Sequence, residues 1–199
     1  MRQGADRAAL NERKDDLYET PYCAIETLLR HEVLPQTIWE PCAGRGAIAE
    51  PLRQSGRLVR AFDLVAYSGA VGIQPGVDFL MERAAAADTI VTNFPFKLND
   101  ECIDHGLELG CRVIALCRLM FMEAVDGRQR GTGLRSKLID RHLSHVWLGR
   151  ERLPMMHREG WEGPKHSNSG APFAWFVFEP LPHPPQQGYV VRRVSWWAK

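Results

Sequence analysis

The sequence predicts an α/β domain in which a mostly parallel sheet carries helices on both faces. Strand-like apolar runs at 38–40, 58–62, 87–92 and 112–117 alternate with segments that have helical character. Such alternation is typical of a parallel sheet. Two further observations support it: a turn containing Gly44 and Gly46 follows the first run, and Asp63 ends the second. A carboxylate at that place holds ribose hydroxyls in nucleotide-binding α/β folds.

Length and composition bound the class of protein. The 199 residues suffice for one domain with a proper core, and 25 basic against 24 acidic residues exclude a global polycation. No apolar run approaches membrane-spanning length and no signal peptide is visible, which predicts a soluble, cytoplasmic protein. The five cysteines are dispersed without a C-x-x-C pair, which predicts reduced thiols and no metal site.

The first predicted elements are a tail and a helix. Residues 1–14 are polar and predict a flexible tail, with a single domain over 15–199. Thr20 suits a helix N-cap and Pro21 the first helical position. The helix would end before Leu34-Pro35, ahead of the first strand.

The glycine turn between the first strand and the next helix is the strongest local motif. Residues 40–46 read Glu-Pro-Cys-Ala-Gly-Arg-Gly. Glycines let the backbone approach a ligand, and the helix behind them offers free N–H groups. Because Ala49 occupies the third position of a G-x-G-x-x-G/A pattern, the turn by itself also permits a dinucleotide site.

Three stretches together resemble the class I S-adenosylmethionine-dependent methyltransferases, in particular the amino-methyltransferases that act on adenine N6. They are the loop at 40–46, Asp63, and the tetrapeptide Asn93-Phe94-Pro95-Phe96, in the family's order and spacing. The resemblance covers roughly residues 15–180. It implies a Rossmann-like, seven-stranded, mostly parallel sheet, with the late runs 142–148 and 173–178 forming an antiparallel pair at the sheet edge.

The resemblance also implies S-adenosylmethionine as the cofactor. The glycine loop would hold its methionine end, Asp63 its ribose, and the pair at 78–79 its adenine. Without the resemblance, Thr20-Pro21 is a simple helix start and Asp78 the N-cap of a short helix or turn at 81–87. The implied cofactor residues are Tyr18, Thr20, Pro21, Glu40, Cys42, Ala43, Gly44, Gly46, Asp63, Leu64, Asp78 and Phe79.

The tetrapeptide carries the predicted catalytic residues, Asn93, Phe94, Pro95 and Phe96. By the resemblance, the Asn93 side chain and the next backbone carbonyl accept the two hydrogens of the target amine, and Phe96 stacks on the base. Phe94 replaces the family's first proline, which predicts a less rigid loop with a bulky side chain near the base. The alternative is a strand end followed by a turn with two buried phenylalanines.

A basic region over 128–170 supplies the predicted acceptor contacts. Between 128 and 165 there are nine basic and four acidic residues. The candidate substrate-binding residues are Arg158, Trp161, Lys165 and His166; a solvated loop is the alternative. The C-terminal stretch 192–197 is another aromatic-basic contact or a tail packed on the domain. The lack of a separate target-recognition domain predicts relaxed sequence choice, a single-stranded or flipped base, or target recognition supplied by a homodimer or an accessory partner.

The sequence therefore predicts methyl transfer to an exocyclic amine, with adenine N6 in DNA favoured. RNA adenine or a protein glutamine amide would use the same tetrapeptide. The alternative from a different functional class is a non-catalytic protein with this scaffold that binds nucleic acid or another protein. It is motivated by Phe94, which replaces the family's proline. A nicotinamide-dependent oxidoreductase has the least support.

Overall fold

The computed structural model describes residues 17–123, 133–155, 170–181 and 188–197. The predicted tail at 1–14 lies outside them. The strands are β1 (Thr37–Glu40), β2 (Leu58–Asp63), β3 (Gln74–Pro75), β4 (Thr89–Thr92), β5 (Arg112–Arg118), β6 (Leu143–Gly149), β7 (Phe173–Phe178) and β8 (Val190–Val194). The helices are α1 (Tyr22–His31), α2 (Ala49–Gln54), α3 (Asn99–Glu108) and α4 (Leu134–His142), with 3₁₀ turns at Phe79–Met81 and Leu119–Met122. No helix in the described ranges is long and apolar enough to cross a membrane.

All of these strands join one sheet in the order β3-β2-β1-β4-β5-β7-β6-β8. The first five are parallel, and β8 is parallel to β6. β7 is antiparallel to both β5 and β6. The predicted α/β fold with a mostly parallel sheet is confirmed.

Two details of the predicted sheet are wrong. The sheet has eight described strands where seven were expected, and the antiparallel strand β7 lies inside the sheet, not at its edge. Every residue of β7 is buried, as suits an apolar run covered on both faces. The edge belongs to β8, whose first four residues are exposed. β3, with only two residues, gives no strand pattern in the sequence.

The sheet separates two apolar cores. Along β5, Ile114 and Leu116 point into the core shared with α1 and α2. The alternate residues Val113, Ala115 and Cys117 point into the core shared with α3 and α4. Because successive side chains of β5 point to opposite faces, the strand packs against helices on both sides of the sheet, as predicted.

In two segments the structure favours one of the alternatives that the sequence left open. Between 81 and 88 there is only the 3₁₀ turn ending at Met81, because a short alanine-rich segment without an apolar stripe does not sustain a helix. At the C-terminus, Trp196 is fully buried, and its indole Nε1 donates to the Glu151 carbonyl at 2.9 Å. A Cβ at Gly149 would overlap the Trp196 ring. Trp196 therefore packs on the domain.

Candidate active site

A cavity of about 450 Å³ opens at the carboxyl ends of β1, β2 and β4. The chain adds β2 and β3 on one side of β1 and then returns to add β4 and β5 on the other. Ligands of open α/β sheets bind where the strand order reverses in this way. The predicted cofactor loop, the predicted ribose carboxylate and the tetrapeptide all reach this place.

The glycine loop is fixed to the end of β2 by hydrogen bonds. Ala43 N donates to the Phe62 carbonyl at 2.9 Å, and Gly44 N donates to Asp63 Oδ2 at 2.7 Å. Gly44 has φ +56°, and a Cβ there would lie 2.8 Å from Leu17 Cδ1. Gly46 does not line the cavity; its φ of +93° lets the chain turn into α2. The loop therefore needs both glycines, for different reasons.

Glu40 ends β1 beneath this loop and is almost fully buried. Burial raises the pKa of its carboxyl well above the ordinary value, and the more distant positive charge of Arg53 only partly opposes this. Its Oε2 has no hydrogen-bond partner within the described part of the chain. A buried carboxyl in this state is suited to a cationic ligand group, which would favour its ionised form.

Asp63 contributes both carboxylate oxygens to local structure. Oδ2 accepts from Gly44 N, and Oδ1 accepts from Val65 N at 2.8 Å. Asp63 also lines the cavity. The following residue, Leu64, lines the cavity and is 62 % exposed, so it forms part of the rim.

Asp78 and Phe79 also line the cavity. Asp78 Oδ1 accepts from Leu80 N at 3.1 Å, so Asp78 caps the 3₁₀ turn and also lines the cavity. Phe79 is buried between the edges of Trp39 and His105, with ring centroids 5.2 and 5.1 Å away. This leaves an apolar ring next to an acceptor carboxylate.

The segment before α1, residues 17–20, forms part of the cavity lining. Tyr18 and Thr20 line it, but Pro21 does not. The predicted capping pattern is shifted by one residue: Pro21 occupies the N-cap position in an extended conformation, and the helix begins at Tyr22. Thr20 is buried but precedes the cap.

The tetrapeptide places its polar residue at the cavity. Asn93 follows β4, lines the cavity, and donates from Nδ2 to the Tyr18 carbonyl at 3.1 Å. Its Oδ1 is buried and has no hydrogen-bond partner among the described residues. Pro95 also lines the cavity.

The two phenylalanines of the tetrapeptide lie elsewhere. Phe94 is 1 % exposed and stacks on Phe79 at 5.5 Å, in the core beneath the cavity wall. The expectation of a bulky side chain near the base is therefore wrong, because the ring has turned into the interior. Phe96 is partly buried and packs against Tyr18 and Phe173, outside the cavity lining.

Several lining residues were not predicted. Most are neighbours of predicted ones, such as Glu19 and Arg45, which form an ion pair at 3.4 Å. Cys102 reaches the wall from α3 and had no sequence signal. Burial raises the pKa of its thiol to about 12 and that of Cys42 well above the ordinary value, so both remain protonated. The further lining residues are Leu17, Pro41, Ala47, Ile48, Val65, Tyr67, Val77, Leu80, Lys97 and Leu98.

The predicted acceptor contacts lie outside the described residues. Arg158, Trp161, Lys165 and His166 all fall within 156–169. Their role stays a prediction from sequence.

Comparison with known proteins shows the fold. No protein-family model and no curated protein matches the sequence. A Listeria monocytogenes protein proposed to be a class I S-adenosylmethionine-dependent methyltransferase matches with TM-score 0.51 and 12% identity over 87% of this chain; this chain spans only 62% of that protein.

Two further solved structures are similar. The 23S rRNA methyltransferase ErmE matches with TM-score 0.51 and 15% identity, over 83% of this chain and 70% of its own. A modification subunit of a proposed type I restriction enzyme from Vibrio vulnificus matches with TM-score 0.53 and 11% identity, over 92% of this chain and 49% of its own. The chain therefore has the Rossmann-like fold found in class I methyltransferases.

Proposed function

We propose that this protein transfers a methyl group from S-adenosylmethionine to an exocyclic amine, and that the amine is adenine N6 in DNA. The observation that carries the proposal is the Oδ1 atom of Asn93, a buried acceptor on the cavity lining that lacks a described partner. Buried polar atoms are normally hydrogen-bonded, so this one is suited to a donor on a ligand. An exocyclic amine is such a donor.

The residues around the cavity fit the proposed cofactor in charge and shape. Glu40 suits a cationic amino group, Asp63 suits ribose hydroxyls, and Asp78 beside Phe79 suits an amino-substituted aromatic ring. The volume of about 450 Å³ is within the usual range for small-molecule sites. When bound, S-adenosylmethionine supplies a methyl group on a positively charged sulfur, which is a good leaving group.

The protein's own contribution is positioning. An exocyclic adenine amine is a weak nucleophile because its lone pair is delocalised into the ring. Asn93 Oδ1 would accept one amine hydrogen and the Phe94 carbonyl the other, which aligns the nitrogen. The carbonyl role needs no proline at 94, and the burial of the Phe94 ring in the core supports this assignment. The methylated nitrogen would be acidic enough to give up its extra proton to water, so no strong base is needed, and alignment of this kind would supply much of the rate enhancement.

Two observations bear on the polymer that carries the acceptor base. Two similar structures come from a 23S rRNA methyltransferase and from a modification subunit of a proposed type I restriction enzyme, which is compatible with a nucleic-acid acceptor. The basic excess at 128–165 supports a phosphate-bearing acceptor. A second copy or an accessory partner would supply sequence recognition.

The test is to incubate the protein and S-adenosylmethionine with unmethylated DNA and, separately, with RNA, then to identify nucleosides by mass after digestion. We expect N6-methyladenine in the DNA pool, and none with Asn93→Ala. N6-methyladenine only in RNA would correct the acceptor. No methylated nucleoside from either, with cofactor binding intact, would overturn the nucleic-acid acceptor and favour a protein amide or a non-catalytic scaffold.

A further inference from the structure

The ring of Phe96 is covered by a guanidinium group. Arg118 Cζ lies 4.2 Å from the centroid of the Phe96 ring. Tyr18 and Phe173 pack against the same ring in tilted orientations, with centroids 5.2 and 5.9 Å away. The aromatic residue of the tetrapeptide is therefore enclosed by two rings and one cation.

Arg118 stands at the same edge of the sheet as Asn93. It is the last residue of β5, and Asn93 directly follows β4, which is parallel to β5 and pairs with it. Both side chains therefore leave the carboxyl edge of neighbouring strands. Arg118 is only half-buried, so its guanidinium has access to solvent.

The charge of Arg118 is not neutralised by the protein residues that the structure describes. Within those residues no carboxylate lies within ion-pair distance of Arg118, whereas Arg45, Arg112 and Arg135 each have an acidic partner. A cation with no carboxylate, lying on an aromatic face, combines the two features that bind single-stranded nucleic acid: charge for phosphate and a ring for a base.

A base cannot stack on the covered face while Arg118 stays there. Stacked carbon planes lie about 3.5–4 Å apart, so a base inserted between ring and guanidinium would need about 7–8 Å. The observed separation is 4.2 Å. Arg118 and an acceptor base therefore cannot occupy this face of Phe96 at the same time.

We propose that Arg118 selects an acceptor that combines a purine base with phosphate. The base takes the place of the guanidinium on Phe96, and the displaced guanidinium binds a phosphate of the same strand. A free nucleoside must displace Arg118 without gaining that contact, so it binds poorly. This inference rests on the proposed function, because it assumes an acceptor base next to Asn93.

The test compares two probes against three variants. The probes are a fluorescein-labelled single-stranded oligodeoxynucleotide containing adenine, followed by anisotropy, and 2′-deoxyadenosine, followed by calorimetry, both with the full chain. Arg118→Ala removes charge and stacking, and Arg118→Lys keeps the charge. Arg60→Ala is the control, since Arg60 is exposed on β2, which β1 and β4 separate from β5.

We expect Arg118→Ala to weaken oligonucleotide binding about tenfold and to reduce the salt slope by about 0.7, the loss of one phosphate contact to a single strand. The same variant should bind deoxyadenosine about threefold to tenfold more tightly, because the competing cation–π contact is gone. Arg118→Lys should keep the salt slope and bind deoxyadenosine with an affinity between those of the unaltered protein and Arg118→Ala, because lysine keeps a cation–π contact but cannot stack as a planar guanidinium does. Arg60→Ala should change neither affinity by more than about twofold.

Parallel losses of affinity for both probes in Arg118→Ala would overturn the inference, since Arg118 would then be only part of the wall. Unchanged affinities, or no binding of either probe by the unaltered protein, would overturn it as well. Thermal unfolding and S-adenosylmethionine binding show whether each variant is folded. If the opposite shifts appear but no nucleoside is methylated, the role of Arg118 in base and phosphate binding stands and the proposed reaction fails separately.

Discussion

The side-chain amide of Asn93 donates a 3.1 Å hydrogen bond to the backbone carbonyl of Tyr18. This bond fixes which end of the amide is free: Nδ2 is engaged and Oδ1 remains as the acceptor. The ring of Tyr18 packs on Phe96 at 5.2 Å. The segment before α1 therefore orients both ends of the tetrapeptide, although the sequence separates them widely.

Asn93→Ala should reduce methyl transfer about 10²–10³-fold, the usual loss when one preorganised hydrogen-bonding group is removed from a reacting centre. The dissociation constant for S-adenosylmethionine, measured by calorimetry, should stay within about twofold. Gln54→Ala is the control, because Gln54 is an exposed amide on α2 that does not line the cavity, and it should transfer normally. Normal transfer by Asn93→Ala would show that the active-site assignment is wrong.

Glu40 should make the stability of the ligand-free protein depend on pH. Its folded-state pKa is raised above the ordinary value near 4.5, so the unfolding free energy should fall as pH rises through that raised pKa. Glu40→Gln, which is neutral throughout, should match the unaltered protein below about pH 4.5 and exceed its melting temperature at alkaline pH. Parallel melting curves across the range would contradict this.

The same residue should couple cofactor binding to proton release. A cationic ligand group beside Glu40 favours the ionised carboxylate, so binding should release up to about one proton. Calorimetry in buffers of different ionisation enthalpy measures that number. Glu40→Gln should bind at least about tenfold more weakly and release none from this position. Equal proton release by both proteins would assign it elsewhere.

Gly44 and Gly56 form a matched pair for testing the cofactor loop. Both have positive φ, +56° and +89°, so alanine should cost each about 1–2 kcal/mol of stability. A Cβ meets Leu17 Cδ1 at 2.8 Å at Gly44 and nothing within 4 Å at Gly56. Only Gly44→Ala should therefore also weaken S-adenosylmethionine binding, by about tenfold or more. Similar cofactor affinities in the two variants would show that the loop does not contact the cofactor.

The sequence predicted which residues meet at the site because each of them lies at the end of a strand or directly after it. Glu40, Asp63 and Asn93 follow apolar runs that are parallel neighbours in the sheet, so their carboxyl ends meet at one edge. The periodicity of a strand is a local property, so it can be recognised in one sequence without knowledge of the tertiary structure. The two late strands gave the same kind of pattern, whereas their antiparallel pairing was expected only from the family resemblance and the interior place of β7 was not predicted.

Side-chain directions within the tetrapeptide were not predictable in this way. Past the end of β4 the alternation of a strand no longer applies, and tertiary packing decides that Phe94 turns inward while Phe96 meets Arg118. Cys102 and Arg118 reach the site region from elements distant in sequence, with no motif to mark them. Such contacts depend on the whole fold.

Phe94 should contribute to the stability of the fold and support the cavity wall, and its presence in place of proline should not slow the reaction. Its buried ring stacks on Phe79, which lines the cavity. Phe94→Ala should cost about 3–5 kcal/mol of unfolding free energy, and Phe94→Pro a similar amount, since both delete the ring. Phe94→Leu should cost less and serves as the folded comparison. A faster reaction with Phe94→Pro would instead mean that the missing proline had weakened the loop.

Glu32 should control acid stability at the end of the sheet opposite the cavity. Burial alone raises the pKa of Glu32, but hydrogen bonds from His145, Trp147 and Arg112, at 2.6, 2.7 and 2.8 Å, lower it to about 2. Because the folded pKa is depressed, the stabilisation is present above about pH 4.5 and is lost as pH falls towards 2. Glu32→Gln should therefore lower the unfolding free energy at pH 7 by about 3 kcal/mol, measured by urea denaturation. Glu26→Gln, on the helix that Glu32 follows as the C-cap residue, should change it by less than about 0.5 kcal/mol. An equally small loss with Glu32→Gln would contradict the assignment.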